Sequence, residues 1–169
     1  MKQLVITLIG TDRPGLVETL SDTVFQHHGS WQASSLSKLA GKFAGIIQVD
    51  IKNEDAESLA KALNSIPELD VLIADTPRQS EPDSTTHSLT VTGNDRSGII
   101  QEVTREIAKF GININKLKSH AQSAANSGGM IFTADFDLDI ANSIPLSDLG
   151  EALEGLSDDL IVEFDVSDI

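Results

Sequence analysis

Cysteine and tyrosine are both missing from the 169 residues. Without cysteine there is no disulfide framework, thiolate nucleophile or thiolate metal ligand, and a reducing compartment suits the chain. Aromatic residues are scarce, six Phe and one Trp, so the core must be aliphatic and few rings are available for bases to stack on. Basic residues are few as well: 12 Lys and Arg against 26 Asp and Glu leave a formal charge of −14. Such a balance opposes binding to nucleic acid or to an anionic membrane surface, both of which need a basic footprint. No run of about 18 apolar residues occurs, so no membrane span is expected. The opening stretch, Leu4 to Ile9, alternates like a strand and lacks the small-residue cleavage site of a signal peptide. A soluble cytoplasmic protein is expected.

What is present is a repeat. Gly10-Thr11-Asp12-Arg13-Pro14-Gly15 recurs as Gly93-Asn94-Asp95-Arg96-Ser97-Gly98, 83 residues later. Each copy follows a strand-like run, Leu4 to Ile9 or His87 to Thr92, and precedes a helical pattern. Leu16, Leu20 and Val24 form one stripe; Ile99, Val103, Ile107 and Phe110 form the other. Both helices are expected to stop at a left-handed glycine, Gly29 and Gly111. A strand, a turn and a returning strand then follow. The turns are expected at Ala40-Gly41-Lys42 and across Ser123 to Gly129. In the second return strand Phe132, Ala134, Phe136 and Leu138 alternate with Thr133, Asp135, Asp137 and Asp139, giving one buried and one wet face. Second helices carry Ala56, Leu59, Leu63 and Ile66, or Leu146, Leu149, Leu153 and Leu156. Closing strands run from Leu69 to Ala74 and from Leu160 to Val166.

Each half thus reads strand, helix, strand, strand, helix, strand. This is the order of an α+β ferredoxin-like βαββαβ unit, an antiparallel sheet with both helices on one face. Residues 1–76 form the first expected unit and 87–169 the second; the polar, proline-bearing stretch 77–86 is the linker.

The repeated turn admits two uses. Structurally, Pro14 or Ser97 suits a helix start, Asp12 and Asp95 can cap the helix, and Gly15 and Gly98 permit close approach. Functionally, a helix N-terminus can receive a carboxylate, Arg13 or Arg96 can add a charge-assisted contact, and Asp12 or Asp95 can hold an ammonium. The ligand set would then comprise Asp12, Arg13, Pro14, Gly15 and Leu16 in one half. In the other it would comprise Asn94, Asp95, Arg96, Ser97, Gly98 and Ile99. Asn113 and Ile114 open the next strand, and Asn113 is expected beside the turn, where it can bond a zwitterion or simply face water. Trp31 is expected to pack.

Other patterns fail on their own chemistry. Asp135-x-Asp137-x-Asp139 resembles a calcium loop, but Ile140 stands where glycine is needed and Leu146 where glutamate is. His27 and His28 diverge by about 100° around a helix. No serine sits in a nucleophile elbow, and Ser127-Gly128-Gly129 lacks the lysine of a phosphate loop. Neither a catalytic role, a metal nor a cofactor is expected.

Asp12-Arg13-Pro14-Gly15-Leu16-Val17 and Gly111-Ile112-Asn113-Ile114 resemble the ACT domain, an amino-acid-sensing ferredoxin-like module. Two such units, with Lys38 to Ile47 between strands, are similar to the glycine cleavage system transcriptional repressor family. The resemblance implies a cytoplasmic regulator that binds a small amino acid such as glycine and contacts a DNA-binding transcription factor, not DNA itself. It also implies pairing of units, within or between chains, through their sheets. A regulatory subunit of an amino-acid metabolic enzyme is the alternative it leaves open. Ser30-Trp31 replaces the Asn113-Ile114 pair in the first half, and Ser97 replaces proline in the second turn, so the halves are expected to be unequal.

Overall fold

The computed structural model describes residues 1–76, 85–124 and 128–165. The chain divides into two compact units, Met1–Ser80 and Glu81–Ile169. The first contains β1 (Lys2–Thr11), α1 (Leu16–Gln26), β2 (Ser30–Leu39), β3 (Lys42–Ile51), α2 (Ala56–Asn64) and β4 (Leu69–Thr76). The second contains β5 (Thr85–Asn94), α3 (Ile99–Lys109), β6 (Asn113–Ser123), β7 (Met130–Ile140), α4 (Leu146–Glu154) and β8 (Ile161–Phe164). Strand orders are β2-β3-β1-β4 and β6-β7-β5-β8, every neighbouring pair antiparallel. The expected βαββαβ duplication is the fold. Of the expected linker, 77–84 lie outside the described residues, and Thr85 and Thr86 already belong to β5. Residues 125–127 of the second hairpin and Val166 also lie outside them.

Period-two burial drives each sheet onto its helices. Leu4, Ile6 and Leu8 of β1 meet Leu16, Leu20 and Val24 of α1 and Leu59 and Leu63 of α2 in one cluster. Leu89, Val91, Phe136 and Leu138 meet Val103, Ile107, Leu149 and Leu153 in the other. Trp31 is half-buried against the first cluster, as its expected packing role requires.

The opposite faces differ. In the first unit Ile9, Ile46 and Leu72 remain 48%, 50% and 71% exposed, in neighbouring rows around Thr7. In the second, Asp135, Asp137 and Asp139 accept hydrogen bonds from the hydroxyls of Thr90, Ser88 and Thr86, at 2.8, 3.0 and 3.0 Å. The acidic triplet is the wet face of a strand, as its alternation indicated.

One expectation about helix ends needs correcting. In the first unit the left-handed residue is His28 (φ 57°), and Gly29 has no positive φ. Gly29 is required by space instead, because a Cβ there would lie 2.9 Å from methyls of both Val24 and Val49. Gly111 (φ 71°) does take the left-handed conformation, and at the 83-residue offset it matches His28, not Gly29.

Candidate functional site

Both glycines of each turn are fixed by geometry. Gly10 and Gly93 sit where the edge strand is entered: a Cβ on Gly10 would lie 2.5 Å from the Glu68 carbonyl oxygen, and one on Gly93 2.8 Å from Leu160 Cδ2. Across the sheet Phe43 and Phe132 stand opposite these two glycines. Gly15 (φ 79°) and Gly98 (φ 89°) are the residues immediately before α1 and α3, in the left-handed region that side chains disfavour.

That geometry changes the roles expected for their neighbours. Pro14 and Ser97 lie two residues before the first helical residue, so neither occupies the first helical position. Asp12 and Asp95 do not cap, since Gly15 and Gly98 hold the cap positions and neither helix has a side-chain cap hydrogen bond at its start. Their backbone amides instead fasten the turn to the facing hairpin, Asp12 N–H to Gly41 O at 3.1 Å and Asp95 N–H to Met130 O at 2.9 Å. Leu16 and Ile99 are core residues, at most 4% exposed, so only their backbone is available to a ligand. Ile114 also packs on the core.

The charged groups are held differently in the two turns. Asp12 Oδ2 pairs with Lys38 Nζ at 2.5 Å, and Arg13 is exposed with no ion-pair partner among the described residues. In the second turn Arg96 forms a two-pronged pair with Glu102, Nη1–Oε1 at 2.9 Å and Nη2–Oε2 at 2.5 Å. These hydrogen bonds hold the Glu102 carboxyl below the usual range and raise the Arg96 guanidinium. Asp95 has no ion-pair partner among the described residues. The Asn94 backbone N–H donates to Asp159 Oδ2 at 2.9 Å, and the Ser157 hydroxyl also donates to Asp159. Ser157, and then Asn94, keep that carboxyl below its ordinary value. Glu102 and Asp159 were not anticipated from the sequence; the six-residue spacing from Arg96 to Glu102 is the signal that could have found the first.

Asn113 is not beside its own turn. It pairs with Asp139, which pairs with Thr86 at the start of β5, while the turn follows Asn94 at the end of that strand. Eight residues of strand, about 27 Å, separate the two levels. Helix α3 carries the chain back along the sheet before β6 begins, so the strand after the helix must start at the far end. Asn113 Nδ2 donates to Asn115 Oδ1 at 2.9 Å.

Two family models match the chain, both described as ACT domain, over residues 2–74 and 83–159. The chain belongs to the ACT domain family, as a tandem pair. A UPF0237 protein of Methanopyrus kandleri is 34% identical over 55 residues, covering 32% of this chain and 61% of the relative. The chain therefore spans less than two thirds of that relative's length. Among solved structures, an unknown protein from Galdieria sulphuraria is similar at 24% identity and TM-score 0.85, with 97% of each chain covered. A candidate glycine cleavage system transcriptional repressor is similar at 20% identity and TM-score 0.69, again over 97% of each chain. At these identities the likeness shows the fold. ACT domains serve amino-acid-sensing regulation, and no helix among the described residues is long and apolar enough to cross a membrane.

Proposed function

We propose that this tandem ACT protein is a cytoplasmic, non-enzymatic regulator that responds to a small amino acid, glycine foremost, and acts on transcription by contacting a protein partner. The observation that carries this reading is the pair of uncapped helix starts, each behind a left-handed glycine and flanked by an aspartate and an arginine. Such a turn offers N–H groups and a guanidinium to a carboxylate and a carboxylate to an ammonium, the two ends of a free amino acid. Asp12, Arg13, Pro14, Gly15 and the backbone of Leu16 form one half-site. Asn94, Asp95, Arg96, Ser97, Gly98 and the backbone of Ile99 form the other, in which Glu102 already holds the Arg96 guanidinium and Asp95 is the charged group left for an ammonium.

Asn113 and Ile114 join such a site only through a second copy. β6 is the edge strand of its sheet, with no strand hydrogen-bonded to its outer side among the described residues. Antiparallel pairing of this edge between two chains carries Asn113 of one copy to the end where the turn of the other lies. A homodimer through sheet pairing therefore belongs to the proposal. The likeness to a candidate glycine cleavage repressor supports glycine and transcription as the first things to test.

Calorimetric titration with the proteinogenic amino acids tests the reading directly. Saturable binding of glycine or a close analogue, weakened about tenfold by Asp95→Ala or Asn113→Ala, is the expected result, since one hydrogen bond to a charged group is worth about 1.5–3 kcal/mol. If no amino acid binds below millimolar concentration, the sensor reading fails. Capture of a transcription factor on the immobilised chain supports the regulatory route; capture of a biosynthetic enzyme instead makes the chain a regulatory subunit.

A further inference from the structure

The two turns carry aspartate, arginine and both glycines at matching positions, yet their ionic partners are exchanged. Among the described residues, the first turn has its aspartate occupied by Lys38 and its arginine open, and the second has its arginine occupied by Glu102 and its aspartate open. Two substitutions at the 83-residue offset account for the exchange. Lys38 corresponds to Ala121, so Asp95 has no such lysine; Glu102 corresponds to Thr19, so Arg13 has no such carboxylate. Thr19 turns its hydroxyl back onto its own helix, donating to Gly15 O at 2.9 Å. Glu18 brings an acid to the first turn of α1 but makes no ion pair with Arg13.

We infer that Glu102 is an internal carboxylate seated on Arg96 that closes the second turn to carboxylates from outside, leaving Arg13 as the arginine open to them. The inference rests on reading the turns as ligand half-sites. Its physical basis is that both terminal nitrogens of Arg96 are engaged by the kind of group a ligand would bring. A carboxylate six residues away in the same chain is present at high effective concentration, so a free anion at millimolar level competes poorly. Seated in the first turn of α3, Glu102 also places negative charge where an incoming anion would settle. The lowered carboxyl and raised guanidinium agree with a standing pair.

The test follows the arginine Nε–H resonances of the full-length protein by NMR while sodium acetate is added at constant ionic strength. The wild type is compared with Glu102→Gln and Thr19→Glu, two changes at solvent-accessible positions. Acetate should shift Arg13 and leave Arg96 unmoved in the wild type. Glu102→Gln should bring Arg96 into response, with apparent affinity up about tenfold. Thr19→Glu should silence Arg13. An Arg96 that responds in the wild type as strongly as Arg13 overturns the inference. So does an Arg13 that never responds, or an Arg96 that stays silent once Glu102 is neutral. A glycine titration of the same samples separates the two ideas: the acetate pattern without amino-acid binding keeps Glu102 as the closing group and removes the sensor reading.

Discussion

Left-handed backbone at single residues sets much of the local cost and explains which glycines matter. His28 sits at φ 57°, where its counterpart Gly111 sits at 71° without strain. Replacing His28 with glycine removes a left-handed penalty of about 1–2 kcal/mol and adds an entropy cost of about 0.5–1 kcal/mol, so His28→Gly should stabilise by about 0–1.5 kcal/mol. Urea denaturation would show this as a higher midpoint at unchanged slope. Gly98→Ala tests the opposite case: its Cβ meets only Glu102 Oε1 at 4.0 Å, so the loss of about 1–2 kcal/mol comes from φ alone. A Gly98→Ala protein of full stability would show that the turn relaxes. The glycines of the repeat were legible as a pattern in the sequence, but their separate duties were not. Sequence reading assigned the left-handed place to Gly29 because glycine favours it; packing of Val24 and Val49 claims that glycine, and the strain falls on the histidine before it.

Elements were legible where periodicity is strong, and pairings across them were not. The α1 and α3 stripes, the β7 alternation and the order of elements along each half all stand in the structure as the residue spacing indicated. Asn113 was misplaced for a reason of topology. A helix leaving the turn runs back along the sheet, so the strand it feeds begins opposite that turn. The Arg96–Glu102 pair, spanning turn and helix, makes the second unit acid-sensitive in a definite direction. Pairing lowers the folded-state pKa of Glu102 below the unfolded value of about 4.3. The stabilisation is therefore complete above that unfolded value and is lost as pH falls through the folded one. Wild type and Glu102→Gln should differ in denaturation midpoint at pH 7, and the difference should vanish on acidification. A difference that persists at the acid end would assign the effect to packing of the side chain, not to its charge.

At the level of the whole molecule, charge governs what the chain can meet. With a net charge of −14 and pI near 4.4, it repels polyanions at neutral pH. A direct DNA contact would need released counterions, and so a basic footprint, which 12 lysines and arginines among 26 acids do not offer. Under the proposed function an effect on transcription therefore passes through a partner, whose complementary surface is expected to be basic or apolar. The two units offer different faces: exposed Ile9, Ile46 and Leu72 on the first sheet, and on the second the row of Asp135, Asp137 and Asp139, with Lys118 and Lys116 opposite the first two on β6. These alternatives respond oppositely to salt. If the acidic face docks, raising salt from about 50 to 300 mM should weaken association mainly by slowing the on-rate, because screening shortens electrostatic steering. If the apolar face docks, affinity should hold or rise with sulfate, and Leu72→Ser should abolish it while leaving the fold intact. Surface plasmon resonance against a captured partner at several salt concentrations separates the two, with free DNA as the control analyte. Measurable binding of DNA alone at physiological salt would refute the charge argument outright.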